Sequence, residues 1–182
     1  VQQQQIVRSV MRGWAEIDWR KLRHGVIHGD ANDHNVLVRQ GRVVGLIDFG
    51  DLVYSAVVCD LAIALAYAML GKPQPLDAAG TVVAAYHDRF RLETRELDAL
   101  YPLIGARLCM SVFYAAYNAR VKSAYAYQQV TAAPAWNLLQ QLSDLSPHFP
   151  PSPWPRASAH CVVAVTSTPS PYPTQPHSFS HP

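Results

Sequence analysis

The sequence is short of most features that would assign it quickly. Its three cysteines, Cys59, Cys109 and Cys161, lie far apart with no C-x-x-C spacing, which argues against a disulfide framework or a thiolate zinc site. A reducing, cytoplasmic setting is the expectation that follows. Charged residues make up only 15% of the chain and the formal net charge is +2. No Lys/Arg cluster is interleaved with aromatics, so nothing points to nucleic acid or an anionic membrane surface as partner. The longest apolar run, Leu61 to Leu70, is too short to cross a bilayer. The chain has no initiator Met and no charged-then-apolar leader pattern, and reads as one that begins in mid-protein. Two further absences matter later. No G-x-G-x-x-G occurs, and the three lysines, Lys21, Lys72 and Lys122, do not stand in a strand context.

What is present is apolar and largely helical. Hydrophobic residues reach 49% of a 182-residue chain, enough for one domain with a real core. Composition changes near Pro147: ten of the fourteen prolines fall from there to Pro182, among Ser, Thr and His. Such a segment cannot offset its ordering entropy by burial, so residues 147–182 are expected to be a disordered tail, with Cys161 to Val165 its one strand-like run. Residues 1–146 form the expected domain.

Ile6, Val7, Val10, Met11, Trp14 and Ile17 recur at helical spacing. Val36 to Val38 and Val43 to Ile47 read as two strands of a hairpin turned by Arg39 to Arg42. Further helices are expected over Ala56 to Leu70, over Leu76 to Phe90, from Thr94 through a Pro102 kink to about Gln129, and over Ala135 to Leu145 behind Pro134. His87 reads as a solvated helix residue. Tyr114, Tyr117, Tyr125 and Tyr127 read as helix packing, because no basic groove accompanies them as base stacking would require. Cys59 and Cys109 read as buried thiols.

The hairpin is bracketed by polar residues. Before it stand His28, Gly29, Asp30, Ala31, Asn32, Asp33, His34 and Asn35; after it stand Asp48, Phe49, Gly50 and Asp51. Because a hairpin folds back, Asn35 and Asp48 are expected to be neighbours, with Asp30 facing the same space. That set suits phosphoryl transfer, which needs a carboxylate to orient and deprotonate the attacking hydroxyl and oxygen ligands for a cation on the nucleotide phosphates. Mg²⁺ favours one or two carboxylates completed by phosphate and water. Asp48 offers a carboxylate and Asn35 an amide carbonyl, leaving Asp30 as base.

These residues resemble a known family. His-x-Asp with Asn five positions later, a short hairpin and then Asp-Phe-Gly is similar to the protein-kinase-like catalytic core. His28-Gly29-Asp30, with Asp60-Leu61-Ala62 twelve residues after Asp48, looks like the aminoglycoside phosphotransferase and choline kinase branch, and within it the stretches Val26–Val38 and Gly45–Ser55 look like the hydroxylysine kinases. The likeness continues weakly through Arg107-Leu108-Cys109 and Pro134-Ala135-Trp136. It implies an α+β fold, a kinase-like C-terminal lobe that is mainly helical with a small catalytic hairpin, and the N-terminal lobe is expected to be absent. It implies Asp30 as catalytic base with His28 grouped beside it to orient the loop, Asn35 and Asp48 as metal ligands, and Asp60 as the brace of the loop. The implied cofactors are Mg²⁺ with ATP or GTP. The implied acceptor is the hydroxyl of a small amino compound, foremost 5-hydroxylysine, with Asp33 and Asp51 as possible partners of its ammonium or as turn caps.

Two competing readings fit less well. A protein kinase needs an activation segment, for which the interval from Asp48 to Asp60 leaves no room, and Gly29 stands where an arginine would grip a phosphate. A metallophosphoesterase built on His28, His34 and the nearby aspartates needs further ligands, yet only His87-Asp88 follows before the tail. A different class of reading, a catalytically inactive fragment with a binding or vestigial role, rests on the missing Gly-rich loop and strand lysine.

Overall fold

The computed structural model describes residues 2–121 and 132–148. The expectations for residues 149–182, including the strand-like run from Cys161, and for Tyr125 and Tyr127, lie outside the described residues. The fold is mixed α/β: helix α1 (Gln2–Ala15), strands β1 (His24–Ile27), β2 (Val36–Arg39), β3 (Arg42–Leu46) and β4 (Val53–Ala56), then helices α2 (Val58–Met69), α3 (Pro75–Arg89), α4 (Thr94–Val121) and α5 (Ala132–Leu145).

Helical periodicity builds the core. α1 buries Ile6, Val10 and Gly13 at spacings of four and three, and ends at Ala15, so Ile17 reaches the core from the following loop. α2 buries Leu61, Ala62, Leu65, Ala66 and Met69 against α4. α5 buries Ala135, Leu138, Leu139 and Leu142, and Tyr101 of α4 donates its hydroxyl to the Leu142 carbonyl. Each Leu fully buried in this way contributes about 1.5–3 kcal/mol. α4 continues through Pro102. Its Thr94–Asn118 stretch is long and apolar enough for a bilayer span, although no short apolar run signals it; 61% of that window is buried in the fold, as in the central helix of a bundle.

The start of α4 is fixed by a buried charge. Glu96 is fully buried and reaches back to accept the Glu93 backbone N–H at 2.8 Å, half of a capping box. It also accepts Arg23 Nε at 2.8 Å, and Arg23 Nη2 adds a second bond. Arg23 lies over the Phe90 ring at 4.2 Å. This pair fastens the chain just before β1 to the foot of α4. His87, expected in solvent, is instead buried: its Nδ1 accepts the Leu92 N–H at 3.2 Å and shapes the turn between α3 and α4. Tyr114 and Tyr117 differ from expectation in the opposite sense, being 64% and 62% exposed on α4.

The β structure is richer than one hairpin. β2 and β3 pair antiparallel through the two-residue turn Gln40-Gly41, with φ of 51° and 73°. Positive φ at both positions is the primed turn that matches strand twist, and glycine adopts it without strain. A second ladder, β1 with β4, pairs Ile27 with Val53 and His24 with Ala56 and encloses the hairpin. None of β2 or β3 enters the apolar core, and Val38, Val43, Val44 and Phe49 are exposed on this side.

Candidate active site

The β1–β4 ladder ends where the polar residues begin. Ile27 is buried, and the chain then turns through Gly29 at φ +81°. A Cβ at Gly29 would stand inside the contact distance of the Asp51 carbonyl oxygen, so this position excludes a side chain by both space and backbone conformation. Asp60, in the first turn of α2, caps the bend: Oδ2 accepts the His28 N–H at 2.8 Å and Oδ1 the Gly29 N–H at 2.9 Å. His28 is buried, its ring 5.1 Å from that of Phe49. Its Nε2 bonds the Ile47 carbonyl at 2.9 Å, which calls for a donor there, and its Nδ1 accepts the Asp30 N–H at 3.4 Å. The imidazole thus bridges the loop to the chain just before Asp48.

Asn32 organises the next turn. Its Oδ1 accepts the His34 and Asn35 N–H groups at 2.9 and 3.2 Å, capping the single 3₁₀ turn Asp33–Asn35. The side chain that caps is therefore that of Asn32 rather than that of Asp33. Asn35 is buried, and its Nδ2 donates to the Asp30 carbonyl at 2.9 Å and to Asp30 Oδ2 at 3.2 Å. No hydrogen bond among the described residues engages its Oδ1. The Asn35 carbonyl accepts the Ile47 N–H at 3.0 Å, one residue short of Asp48. The fold-back thereby brings Asn35 and Asp48 to the same end of the hairpin.

Asp48 adopts the left-handed conformation, φ 61° and ψ 61°, which Asp tolerates better than most residues. Its carboxylate is exposed and has no hydrogen-bond or ion-pair partner among the described residues. Asp51 closes the 3₁₀ turn Phe49–Asp51 and is exposed; it meets the loop through its backbone, at Gly29. Asp33 points outward with His34 Nε2 3.9 Å away, and both side chains are more than half exposed.

Asp30 is the most elaborately held carboxylate of the site. Oδ2 accepts Asn32 Nδ2 at 2.8 Å as well as Asn35 Nδ2, and Oδ1 accepts Arg107 Nη2 at 2.6 Å. Arg107 comes from the middle of α4 and also donates to the Tyr67 hydroxyl of α2 at 2.8 Å. Neither Arg107 nor Asn32 was singled out as a functional residue by the sequence reading. Arg107 stands 77 residues from Asp30, and the only signal near it was the weak family likeness at Arg107-Leu108-Cys109. Asn32 had a local signal, an Asn immediately before the turn it caps.

Hard oxygen donors at the hairpin end suit Mg²⁺. The described residues hold no preformed group of three or more His, Cys, Asp or Glu side chains able to bind a metal. One carboxylate and one amide oxygen, at Asp48 and Asn35, fit a cation that completes its shell with phosphate and water.

Residues 2–102 match the model of the phosphotransferase enzyme family, and the chain belongs to that family. It is 33% identical over 154 residues to the hydroxylysine kinase of Mus musculus, covering 78% of this chain and 41% of that protein. It is 37% identical over 123 residues to the hydroxylysine kinase of Danio rerio, covering 63% of this chain and 35% of that protein. The chain thus spans about two fifths of the length of these curated relatives, or less. No solved structure matches it.

Proposed function

We propose that residues 1–146 are the catalytic C-terminal lobe of a cytoplasmic small-molecule kinase that moves the γ-phosphoryl group of ATP or GTP to the hydroxyl of an amino compound, with 5-hydroxylysine the foremost acceptor. The observation that carries the reading is Asp30: a carboxylate fixed by three side-chain donors beside the end of the hairpin that bears Asn35 and Asp48. The names of the relatives support the acceptor.

In this reading Asp30 is the general base. It orients the acceptor hydroxyl and takes its proton as the oxygen attacks phosphorus. Asn35 and Asp48 would hold Mg²⁺, which when bound neutralises charge on the nucleotide phosphates. His28 and Asp60 keep the Asp30 backbone in place through the bonds described above. Asp33 and Asp51, both exposed, supply negative charge for the ammonium of the acceptor.

The 182 residues include no G-x-G-x-x-G loop and no lysine in a strand context. A polypeptide of this length alone is therefore expected to show no appreciable turnover, whereas the protein expressed at its full encoded length should be active. The test offers hydroxylysine, homoserine, ethanolamine, choline and an aminoglycoside to that protein with Mg²⁺ and with ATP or GTP. Hydroxylysine should give the highest kcat/KM, and Asp30→Asn should lower kcat about 10²-fold or more. A near-normal kcat for Asp30→Asn removes that residue from the role of base. No transfer to any acceptor would favour a binding role over a catalytic one.

A further inference from the structure

The hydrogen bonds of Asp30 restrict where an acceptor can dock. A carboxylate offers about four lone-pair sites, two on each oxygen. Both sites on Oδ2 are taken by the amides of Asn32 and Asn35, at 2.8 and 3.2 Å. One site on Oδ1 is taken by Arg107 at 2.6 Å. The remaining site is therefore on Oδ1. A hydroxyl that gives its proton to Asp30 must approach the same oxygen that Arg107 holds, which places it within roughly 3–4 Å of the guanidinium.

Arg107 is itself under-satisfied. A guanidinium carries five N–H donors. Here Nη2 serves Asp30 and the Tyr67 hydroxyl, and among the described residues Nη1 has no partner and the buried Nε has none either. The group is nonetheless held in place, with Tyr67 bonded to it and the Tyr67 ring 5.3 Å from its central carbon. Only 20% of the Arg107 side chain is exposed, so its charge is poorly screened. The Asp30 carboxylate offsets part of this charge through Nη2, but Nη1 stays an uncommitted cationic donor among the described residues, and such a donor suits an anion and not an ammonium on that side. Asp33 and Asp51, whose side chains carry no metal or base role, belong to the loops and not to α4.

We infer that Arg107 reads the carboxylate of the acceptor, which binds with that carboxylate toward α4 and its side-chain ammonium toward the acidic loops. The inference rests on Asp30 acting as base and on the amino-acid acceptor of the proposed function, and adds the group that orients it. Arg107 is a specificity residue in this scheme as well as a donor that positions Asp30.

The deciding comparison is hydroxylysine against hydroxylysine methyl ester, which keeps the hydroxyl and both amines and loses the carboxylate charge. Both are offered to the protein expressed at its full encoded length, as wild type, Arg107→Gln and Arg107→Lys. Wild type should favour the acid by tenfold or more in kcat/KM. In Arg107→Gln that ratio should collapse toward one, chiefly through a raised KM for the acid, and Arg107→Lys should restore part of it. The ratio is internal to each variant, so general damage to folding or to Asp30 cancels. A wild type that uses acid and ester alike, or an Arg107→Gln variant that lowers both in proportion, overturns the inference and leaves the kinase reading intact. Phosphorylation of neither compound by wild type overturns both together.

Discussion

The carboxylate of Asp60 grips the backbone of Gly29 from 31 residues further along the chain, at 2.9 Å, and takes the neighbouring His28 N–H with its other oxygen. One side chain at the start of α2 thus satisfies two consecutive amides of a bend that no regular structure could satisfy. The bend in turn decides where Asp30 points.

Asp60→Ala should leave both amides without an acceptor and cost about 2–4 kcal/mol, two bonds to a charged group partly open to water. Asp60→Asn keeps an acceptor for one of them and should cost less. In full-length enzyme either change should depress kcat more than it raises KM, because the base is misplaced and the rest of the site is untouched. Urea denaturation with steady-state kinetics on the same samples checks both statements.

Gly29→Ala meets two obstacles at once, a φ of +81° and the Asp51 carbonyl in the space a Cβ would take. Relief requires the Asp48–Asp51 turn to shift away from the Asp30 loop. We expect a stability loss of about 1–3 kcal/mol and a larger fall in activity. An Ala variant with wild-type kcat and melting temperature would refute the close packing of these two loops.

Asp48→Asn tests metal binding cleanly, since Asn also tolerates the left-handed backbone at this position. It should raise the Mg²⁺ concentration needed for half-maximal rate, with partial recovery in Mn²⁺. Asn35→Ala removes its bonds to Asp30 as well, so its defect should persist at saturating metal. Titrating rate against metal for the two variants separates these behaviours.

The Arg23–Glu96 pair gives the fold an acid-sensitive contact. Burial pushes the Glu96 carboxyl up, but the Arg23 hydrogen bond, the Glu93 backbone N–H and the nearby Arg23 and Arg95 charges outweigh it and hold the group below its ordinary value. A depressed carboxyl stabilises the folded state above its unfolded pKa, and that contribution fades as pH falls through the folded pKa. Glu96→Gln should therefore cost about 1–2 kcal/mol near neutral pH, and the gap from wild type should close below about pH 4. Melting temperatures from pH 3 to 7 give the comparison.

The helices were legible because their apolar spacing is strong: α2, α3 and α5 fall within a few residues of where periodicity puts them, and β2–β3 follows from two apolar runs around a glycine turn. The β1–β4 ladder was not legible. Each of its strands has four residues, and His24-Gly25 and Ser55-Ala56 carry no alternation. The grouping of Asp30, Asn35 and Asp48 could be read because a hairpin is local. Arg107 could not, since its pairing with Asp30 depends on how α4 packs against α2. His87 was misread for a related reason: a polar residue on a helix signals solvent unless the next turn's backbone needs an acceptor, as Leu92 does here.

The hairpin between Asn35 and Asp48 lies outside the apolar core, whereas the loop bearing Asp30 is tied to α2 through Asp60 and to α4 through Arg107, 77 residues from Asp30. The far end of the hairpin and the base loop consequently have different thermodynamic fates. A two-residue turn closes in about 1–10 μs and can fray alone. The base loop opens only with the helical body. In native-state hydrogen exchange, the amides of Val38, Val43 and Val44 should exchange through small, denaturant-independent openings. Those of His28 and Gly29 should exchange through openings whose free energy falls with denaturant, so the tip of the hairpin can breathe while the base remains clamped.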